Sequence, residues 1–360
     1  MSNIPGVRGP RSSLRMVSRR AAMRGAAAAL GLPALAGAAR AQATELIVNG
    51  YGGSWEQFWR GTILPWFERE SGIRTRYDTG LARTWTSNLR AAGLERPPYP
   101  FIMMNEIFAA LLRGENFFDP WPLAQVPNLA DVHPDAKNPD NNGVFAMISP
   151  IGLAYRRDMV RRPPTSWKDL WTNREFQGQI GMYQIGNSAG YMFLMLVSKI
   201  FGSGPLDFDA GFREIEKLKP FPQVDFSGTM GQLLVRGEIS VGILDMPEAV
   251  RLKRGGAPIE FVPPAEGMFM FEQSFNLLKH GANREASCKY LDFMLRPDVQ
   301  LRCVSEFFIT PVNTKVQVPE ALAREVPIGV NDIGKILKWD WAAANAQRDV
   351  VTERWNRAMR

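Results

Sequence analysis

Along the chain, short apolar runs alternate with segments whose apolar positions recur every three or four residues. The runs 46–48, 73–77 and 101–104 read as strands, and helical patterns follow them from about 55, over 84–92 and over 107–113. A polar stretch rich in Pro and Asn, 127–143, precedes a long extended segment, 144–156. A short helix is expected at 167–171, a strand at 179–183 and an apolar helix at 189–201. The alternation then repeats: helix 210–217, strand 223–226, helix 228–236, strand 240–244, helix 247–254 and strand 259–262. A strand at 275–278, helices at 284–295 and 298–306, and an amphipathic, charged stretch at 341–359 complete the pattern. Strand and helix in turn predict an α/β architecture. No internal repeat interrupts it, and there is no low-complexity segment after the first 43 residues.

Charge changes the picture only at the N-terminus. The net charge is +7, but residues 1–43 hold seven arginines (Arg8, Arg11, Arg15, Arg19, Arg20, Arg24, Arg40) and no acid. The remainder therefore carries 36 basic and 36 acidic groups, which removes a broad cationic face for nucleic acid as an inference from net charge. Ser18-Arg19-Arg20-Ala21-Ala22-Met23-Arg24 heads a weakly apolar run, 25–39, and Ala39-Arg40-Ala41 or Ala41-Gln42-Ala43 offers a small-residue cleavage site. This resembles a bacterial twin-arginine leader, with Ala22 where a phenylalanine usually stands; a floppy basic tail is the alternative. About 14 residues broken by Pro33 fall short of the roughly 20 that a membrane span needs. The mature chain is then expected to begin near Thr44 and to work in the periplasm. At 45% apolar residues and with ten tryptophans, all after position 54, it is suited to well-packed lobes. Cys288 and Cys303, the only cysteines, read as two buried thiols, with one disulfide as the reading that an oxidising compartment also permits.

Several pieces in order carry a resemblance. Gly52-Gly53-Ser54-Trp55 follows the first strand, and Pro127-Asn128-Leu129 precedes the polar loop. Ile151-Gly152-Leu153-Ala154-Tyr155 is followed by Pro163-Pro164-Thr165-Ser166-Trp167-Lys168-Asp169-Leu170 and Phe176-Gln177-Gly178. Arg236-Gly237-Glu238, Pro264-Ala265-Glu266-Gly267 and Tyr290-Leu291-Asp292-Phe293-Met294-Leu295 come next, then Trp339-Asp340-Trp341 and Glu353-Arg354-Trp355-Asn356. In this order and spacing, over 45–360, they resemble the periplasmic solute-binding proteins of ATP-driven importers, in the group that includes the spermidine/putrescine binders. The resemblance implies a two-lobed α/β binding protein of type II, with a ligand cleft between lobes joined by hinge crossovers near Pro150 and Phe271–Phe275. It divides the chain into a leader at 1–43, one lobe from 44–149 plus 274–312, a second lobe from 150–273, and a C-terminal helical segment, 313–360, packing on both. It also implies the partners: a small-molecule ligand, a membrane permease and a separate ATPase, with no enzymatic step and no cofactor. One ligand per monomer suffices.

Ligands of α/β sheets collect at strand C-termini, which nominates the turns after each strand. Gly53 and its neighbour Gly52 let backbone N–H groups approach a ligand, Ser54 with Gln57 reads as a capping box, and a helix N-terminus with free donors suits an anion. Trp55 is placed to stack, and Arg83 with Trp85 follows the second strand; arginine matches a carboxylate by its fork of donors. Asn105 and Glu106 end the third strand. On the second lobe the candidates are Tyr183, Ser188 in the turn Gly186-Asn187-Ser188, Asp225 in Asp225-Phe226-Ser227, and Asp245. Polyamine binders typically carry an aromatic-Ser-Asp-Tyr stretch after strand one, where this chain has Gly52-Gly53-Ser54-Trp55. After Glu-Gly they place an aromatic and then an aspartate; here those positions are Phe271 and Gln273, with Glu272 between. Asp245 does match another of their carboxylates, though without the tryptophan that usually precedes it. A diammonium ligand needs paired carboxylates, so an anionic or zwitterionic solute is favoured over a polyamine.

An enzyme reading also exists. Gly186-Asn187-Ser188-Ala189-Gly190 is a G-x-S-x-G between a strand and a helix, and Asp245 and His280 follow in the chain order of an α/β-hydrolase triad. Metal chemistry has less to build on: His133 and His280 stand in polar loops without a Cys-x-x-Cys or His-x-x-x-His. Gly50, Gly52 and Gly53 do not make a dinucleotide fingerprint.

Overall fold

The computed structural model describes residues 45–359. The leader and its cleavage sites lie outside the described residues. Strand β1 (Leu46–Gly50) pairs in parallel with β2 (Thr75–Thr79), Leu46 opposite Thr75 and Gly50 opposite Thr79. The buried side chain of Asn49 joins this pair to β3 (Phe101–Asn105): its Nδ2 donates to the Met103 carbonyl at 2.7 Å, and its Oδ1 accepts from the Met103 N–H at 2.8 Å. One amide side chain thus satisfies both backbone groups of a residue that a strand would otherwise have paired.

The remaining strands are β4 (Phe118–Asp119), β5 (Val144–Arg156), β6 (Ile180–Tyr183), β7 (Gln223–Val224), β8 (Val241–Asp245), β9 (Ile259–Val262) and β10 (Phe269–Leu278). With β3 they form a mixed sheet in the order β3-β10-β5-β8-β6-β7, with β4 beside β10 and β9 beside β5. Strands β5 and β10 are antiparallel neighbours, with Phe271 opposite Ser149 and Phe269 opposite Ile151. Their register shifts between Gln273 and Ser274, a bulge that re-aims side chains at the crossing.

Buried side chains sort into two large cores. One gathers apolar residues of 46–148 with 268–336, and the other those of 151–269 with 341–359; Ile107, Met246 and Val250 cross over at the boundary. Strand β5 serves both, Val144–Ile148 in the first and Ile151–Tyr155 in the second. The C-terminal segment touches both cores. Asn345 Nδ2 donates to the Ile107 carbonyl at 2.8 Å, Tyr191 donates its hydroxyl to the Ala344 carbonyl at 2.8 Å, and Trp341 Nε1 donates to Glu272 on β10 at 2.9 Å.

Most strands and helices begin and end within a few residues of the pattern. Strand β4 and a helix at Glu320–Glu325 are additions to it, and three further places differ. The strand at 275–278 is the second half of β10, whose first half, an apolar run at 269–271 followed by Glu272 and Gln273, shows no alternation. The stretch 341–359 breaks at Gln347 into helices Trp341–Ala346 and Arg348–Ala358. The first helix runs Ser54–Phe58, widens to a π-turn at Trp59–Ile63 and resumes at Leu64–Ser71. Pro65 explains the widening, because it lacks the N–H for the Gly61 carbonyl and its ring crowds that carbonyl. Cys288 and Cys303 are both buried and free, and burial pushes the Cys303 thiol up to about 12.

Candidate functional site

A cavity of about 750 Å³ opens between the two cores. One wall holds the turn Gly52–Trp55 after β1, the turn Thr79–Arg83 after β2, and Asn105 at the end of β3. The facing wall holds Asn187 and Ser188 after β6, Phe226 and Ser227 after β7, and Asp245 at the end of β8. Ser149 of β5 with Phe271 and Gln273 of β10 lies between them. Every turn in both walls follows the C-terminal end of a strand, where an α/β sheet leaves its crevice.

On the first wall, Gly53 adopts φ 69°, the left-handed region that favours glycine. Gly53 is the N-cap and Ser54 the first helical residue, and no side chain caps the start. The capping box expected from Ser54 and Gln57 is therefore not formed; its absence leaves the Ser54 hydroxyl and the first N–H groups uncapped by side chains. Tyr51 beneath them is fixed twice: its hydroxyl donates to Asn105 Oδ1 at 2.8 Å, and its carbonyl accepts from the Tyr77 hydroxyl at 2.8 Å. Trp55 stacks on Trp59, ring centroids 4.6 Å apart, and meets Phe307 edge-on at 5.1 Å. Arg83 stands exposed on the rim.

The second wall is tied together by Asn187. Its Oδ1 caps the helix Ser188–Phe201 by accepting from the Ala189 N–H at 2.8 Å, and its Nδ2 donates to the Asp225 carbonyl at 2.7 Å. Asp245 caps the next helix through Oδ2, which accepts from the Glu248 N–H at 3.2 Å. Its other oxygen, Oδ1, is buried without a hydrogen-bond partner, and so is Gln273 Oε1. Both side chains are more than nine-tenths buried, at 7% and 5% exposure, and both line the cavity. Burial pushes the Asp245 carboxyl above the usual aspartate range. Glu248, also raised by burial, is ion-paired with Arg251.

The candidates divide accordingly. Gly53, Ser54, Trp55, Arg83, Ser188, Asp245 and Gln273 line one cavity. Trp85 does not: it is 1% exposed and packs behind the wall against Tyr51, ring centroids 5.5 Å apart. Tyr183 is fully buried one layer back, its hydroxyl 2.8 Å from Ser227 Oγ. Asp225 contributes only its carbonyl, and its exposed side chain is outside the cavity lining. Glu272, between Phe271 and Gln273, faces the other side of β10, toward Trp341, as strand alternation requires. Sequence reasoning missed Leu81, Ser149, Glu248, Arg251, Phe108 and Phe307. Only Leu81, beside Arg83 in a turn already nominated, had a local signal.

The hydrolase constellation is not assembled. Ser188 and Asp245 share the cavity, whereas His280 lines a separate surface depression with Asp119, Lys279 and Arg284. His133 accepts from the Asp135 N–H through Nδ1 as a turn cap. Among the described residues no group of three or more His, Cys, Asp or Glu is arranged to hold a metal, and no helix is long and apolar enough to cross a membrane.

Comparison with known proteins gives a consistent picture. A family model for bacterial extracellular solute-binding protein matches residues 101–340. The spermidine/putrescine-binding periplasmic protein of Escherichia coli is 25% identical over 256 residues, covering 68% of this chain and 72% of that protein. The gamma-aminobutyric acid-binding protein of Pseudomonas aeruginosa is 22% identical over 309 residues, 82% of this chain and 85% of that one. An extracellular solute-binding protein of Bordetella parapertussis superposes with a TM-score of 0.76 at 21% identity, over 88% of this chain and 99% of the other. The two-lobed α/β plan expected from the sequence is thereby borne out.

Proposed function

The chain belongs to the bacterial extracellular solute-binding protein family, and from that premise we propose that it is the periplasmic capture component of an ATP-driven importer whose solute is a small zwitterionic amine. The observation that carries the choice of solute is the orphaned carboxylate oxygen of Asp245. Asp245 Oδ1 and Gln273 Oε1 are buried, unpaired and on one cavity. A buried acceptor left unmade costs about 1–3 kcal/mol, and a bound primary ammonium supplies the missing N–H donor at Asp245; Gln273, opposite Asn105 of β3, stands nearer the first wall. The opposite wall offers the Arg83 guanidinium and the uncapped groups at Gly53 and Ser54, a fitting seat for a carboxylate.

Two relatives bear names that share an amine, one spermidine/putrescine-binding and one gamma-aminobutyric acid-binding. The charges around this cavity favour the second chemistry. Glu248 is paired with Arg251, and Glu272 is turned to the far face, which leaves Asp245 as the one lining carboxylate without an ion pair. A diammonium has one partner there, and a zwitterion has two.

In this reading residues 44–149 with 274–312 and residues 150–273 are the two bodies that close on the solute, and 313–360 lies across both. Ligand shifts the population toward the closed form, which docks on a membrane permease driven by a separate ATPase. Export by the twin-arginine route places the protein in the periplasm as a monomer with one ligand. No catalytic step is assigned, because the base that Ser188 would need is elsewhere. Thermal unfolding with about 1 mM 4-aminobutyrate or putrescine tests the reading. Ligand at 100 times its dissociation constant adds about 2.7 kcal/mol, a rise of a few degrees for a chain of this size. A rise with 4-aminobutyrate and not putrescine is expected; a rise with putrescine alone overturns the zwitterion and makes the protein a polyamine binder.

A further inference from the structure

Two exposed apolar side chains stand on facing walls of the cavity. Phe226, 62% exposed, is the N-cap of the helix Ser227–Arg236, and Leu81, 45% exposed, is the N-cap of the helix Ala82–Ala92. Each line of approach is short and fixed, since both residues sit on turns directly after strands. Neither packs into a core. A lone exposed apolar side chain is ordinary, but two of them on one cavity lined by further apolar residues mark a ligand-binding groove. Trp55, Phe108, Phe271 and Phe307 line the same cavity with further rings.

Resting on the zwitterion reading above, we propose that Phe226 and Leu81 close over an apolar body carried between the solute's two charges. The site then selects amino acids whose primary ammonium and carboxylate stand at opposite ends of a ring or branched body, over short linear chains. The orphaned oxygen of Asp245 takes an N–H donor, which favours a primary ammonium over a quaternary one that has none to give. The cavity, about 750 Å³ before any closure, leaves a linear four-carbon chain with unfilled space, and unfilled space forfeits dispersion contacts. A ring-bearing solute offers more apolar surface than a linear chain to Phe226, Leu81 and the other apolar side chains of the lining.

Calorimetric titration of the full chain with 4-(aminomethyl)benzoate and with 4-aminobutyrate tests this. The ring compound is expected to bind at least tenfold tighter. Phe226→Ala is expected to weaken the ring compound about tenfold and 4-aminobutyrate less than threefold; unfolding midpoints of the unliganded variants check that the exposed substitution leaves the fold intact. Equal or tighter binding of 4-aminobutyrate overturns the proposal, and so does an equal loss for both compounds in Phe226→Ala. If 4-aminobutyrate binds and Asp245→Asn weakens it while the ring compound gains nothing, this proposal fails and the zwitterion reading stands. If neither compound binds, both fail.

Discussion

The wall that carries Gly53, Ser54 and Arg83 and the wall that carries Asp245 are built from the same part, a turn after a strand, yet they offer a cavity opposite chemistry. The first presents donors: backbone N–H groups at an uncapped helix start and a guanidinium in water. The second presents an acceptor that is already desolvated and held by the fold, one Asp245 oxygen used as a cap and the other left open. A charge kept in water loses much of its pull to screening, and the same charge in a dry, fixed position does not. The acceptor side should therefore set which solute binds and how tightly, and the donor side should mainly set orientation and rate of capture.

Asp245→Asn is the hardest blow to that contrast. A hydrogen bond to a charged group contributes about 1.5–3 kcal/mol, so the variant is expected to lose between ten- and a hundredfold in affinity by calorimetry. A loss below threefold would move recognition to the other wall. Acidity sharpens the point. The carboxyl must be ionised to hold an ammonium, and burial has raised it. Affinity should be full above that raised value and fall as the pH drops through it, with a proton released on binding inside that window. In Asp245→Asn the slope should vanish.

Arg83→Ala should cost less, about three- to tenfold, and the wild-type affinity should weaken with added salt in a way that the variant does not share. Stopped-flow rates would place the loss in association. A salt-independent loss seen only in dissociation would mean that Arg83 becomes buried when the cleft closes. Gly53→Ala falls on the same wall. At φ 69° an alanine is strained by about 1 kcal/mol, so stability or affinity should drop by that amount if the turn holds its shape.

How far the sequence leads is clearest in three residues of these walls. Asp245 was legible because β8 is a clear apolar strand and the residue ends it. Trp85 misleads because it lies only two residues from Arg83, a spacing that puts the two on opposite sides of a helix. Ala82, Trp85, Thr86 and Leu89 are the buried stripe of their helix, and a stripe at that spacing faces the core. Phe307 had no signal at all, since it comes from the end of the helix Pro297–Phe307, far along the chain from any wall turn. Strand ends could be read because they are local; the side chains that fill the space between them depend on how distant segments pack.

Glu272 supplies the smallest effect on binding and the cleanest control, being a carboxylate one residue from Gln273 but on the opposite face of β10. It is 5% exposed and takes one hydrogen bond, from Trp341 Nε1 at 2.9 Å. Burial first, and then the neighbouring Glu106, hold it well above the usual glutamate range, against the opposing pull of the Trp341 bond and the Arg113 and Lys338 charges. A carboxyl raised on folding binds its proton more tightly in the native state. The stability it lends is complete below the ordinary glutamate value and is lost as the pH climbs toward the folded value, by up to about 1.4 kcal/mol per pH unit. Glu272→Gln keeps an uncharged acceptor for Trp341 and removes that titration. Its denaturant midpoints should stay flatter than those of the wild type as pH rises from about 4.5 toward neutrality, while its affinity for the solute stays within about twofold at neutral pH. A large loss of affinity with unchanged stability would instead show that the Trp341 contact governs closure, and that the far face of β10 takes part in binding as much as the cleft face does.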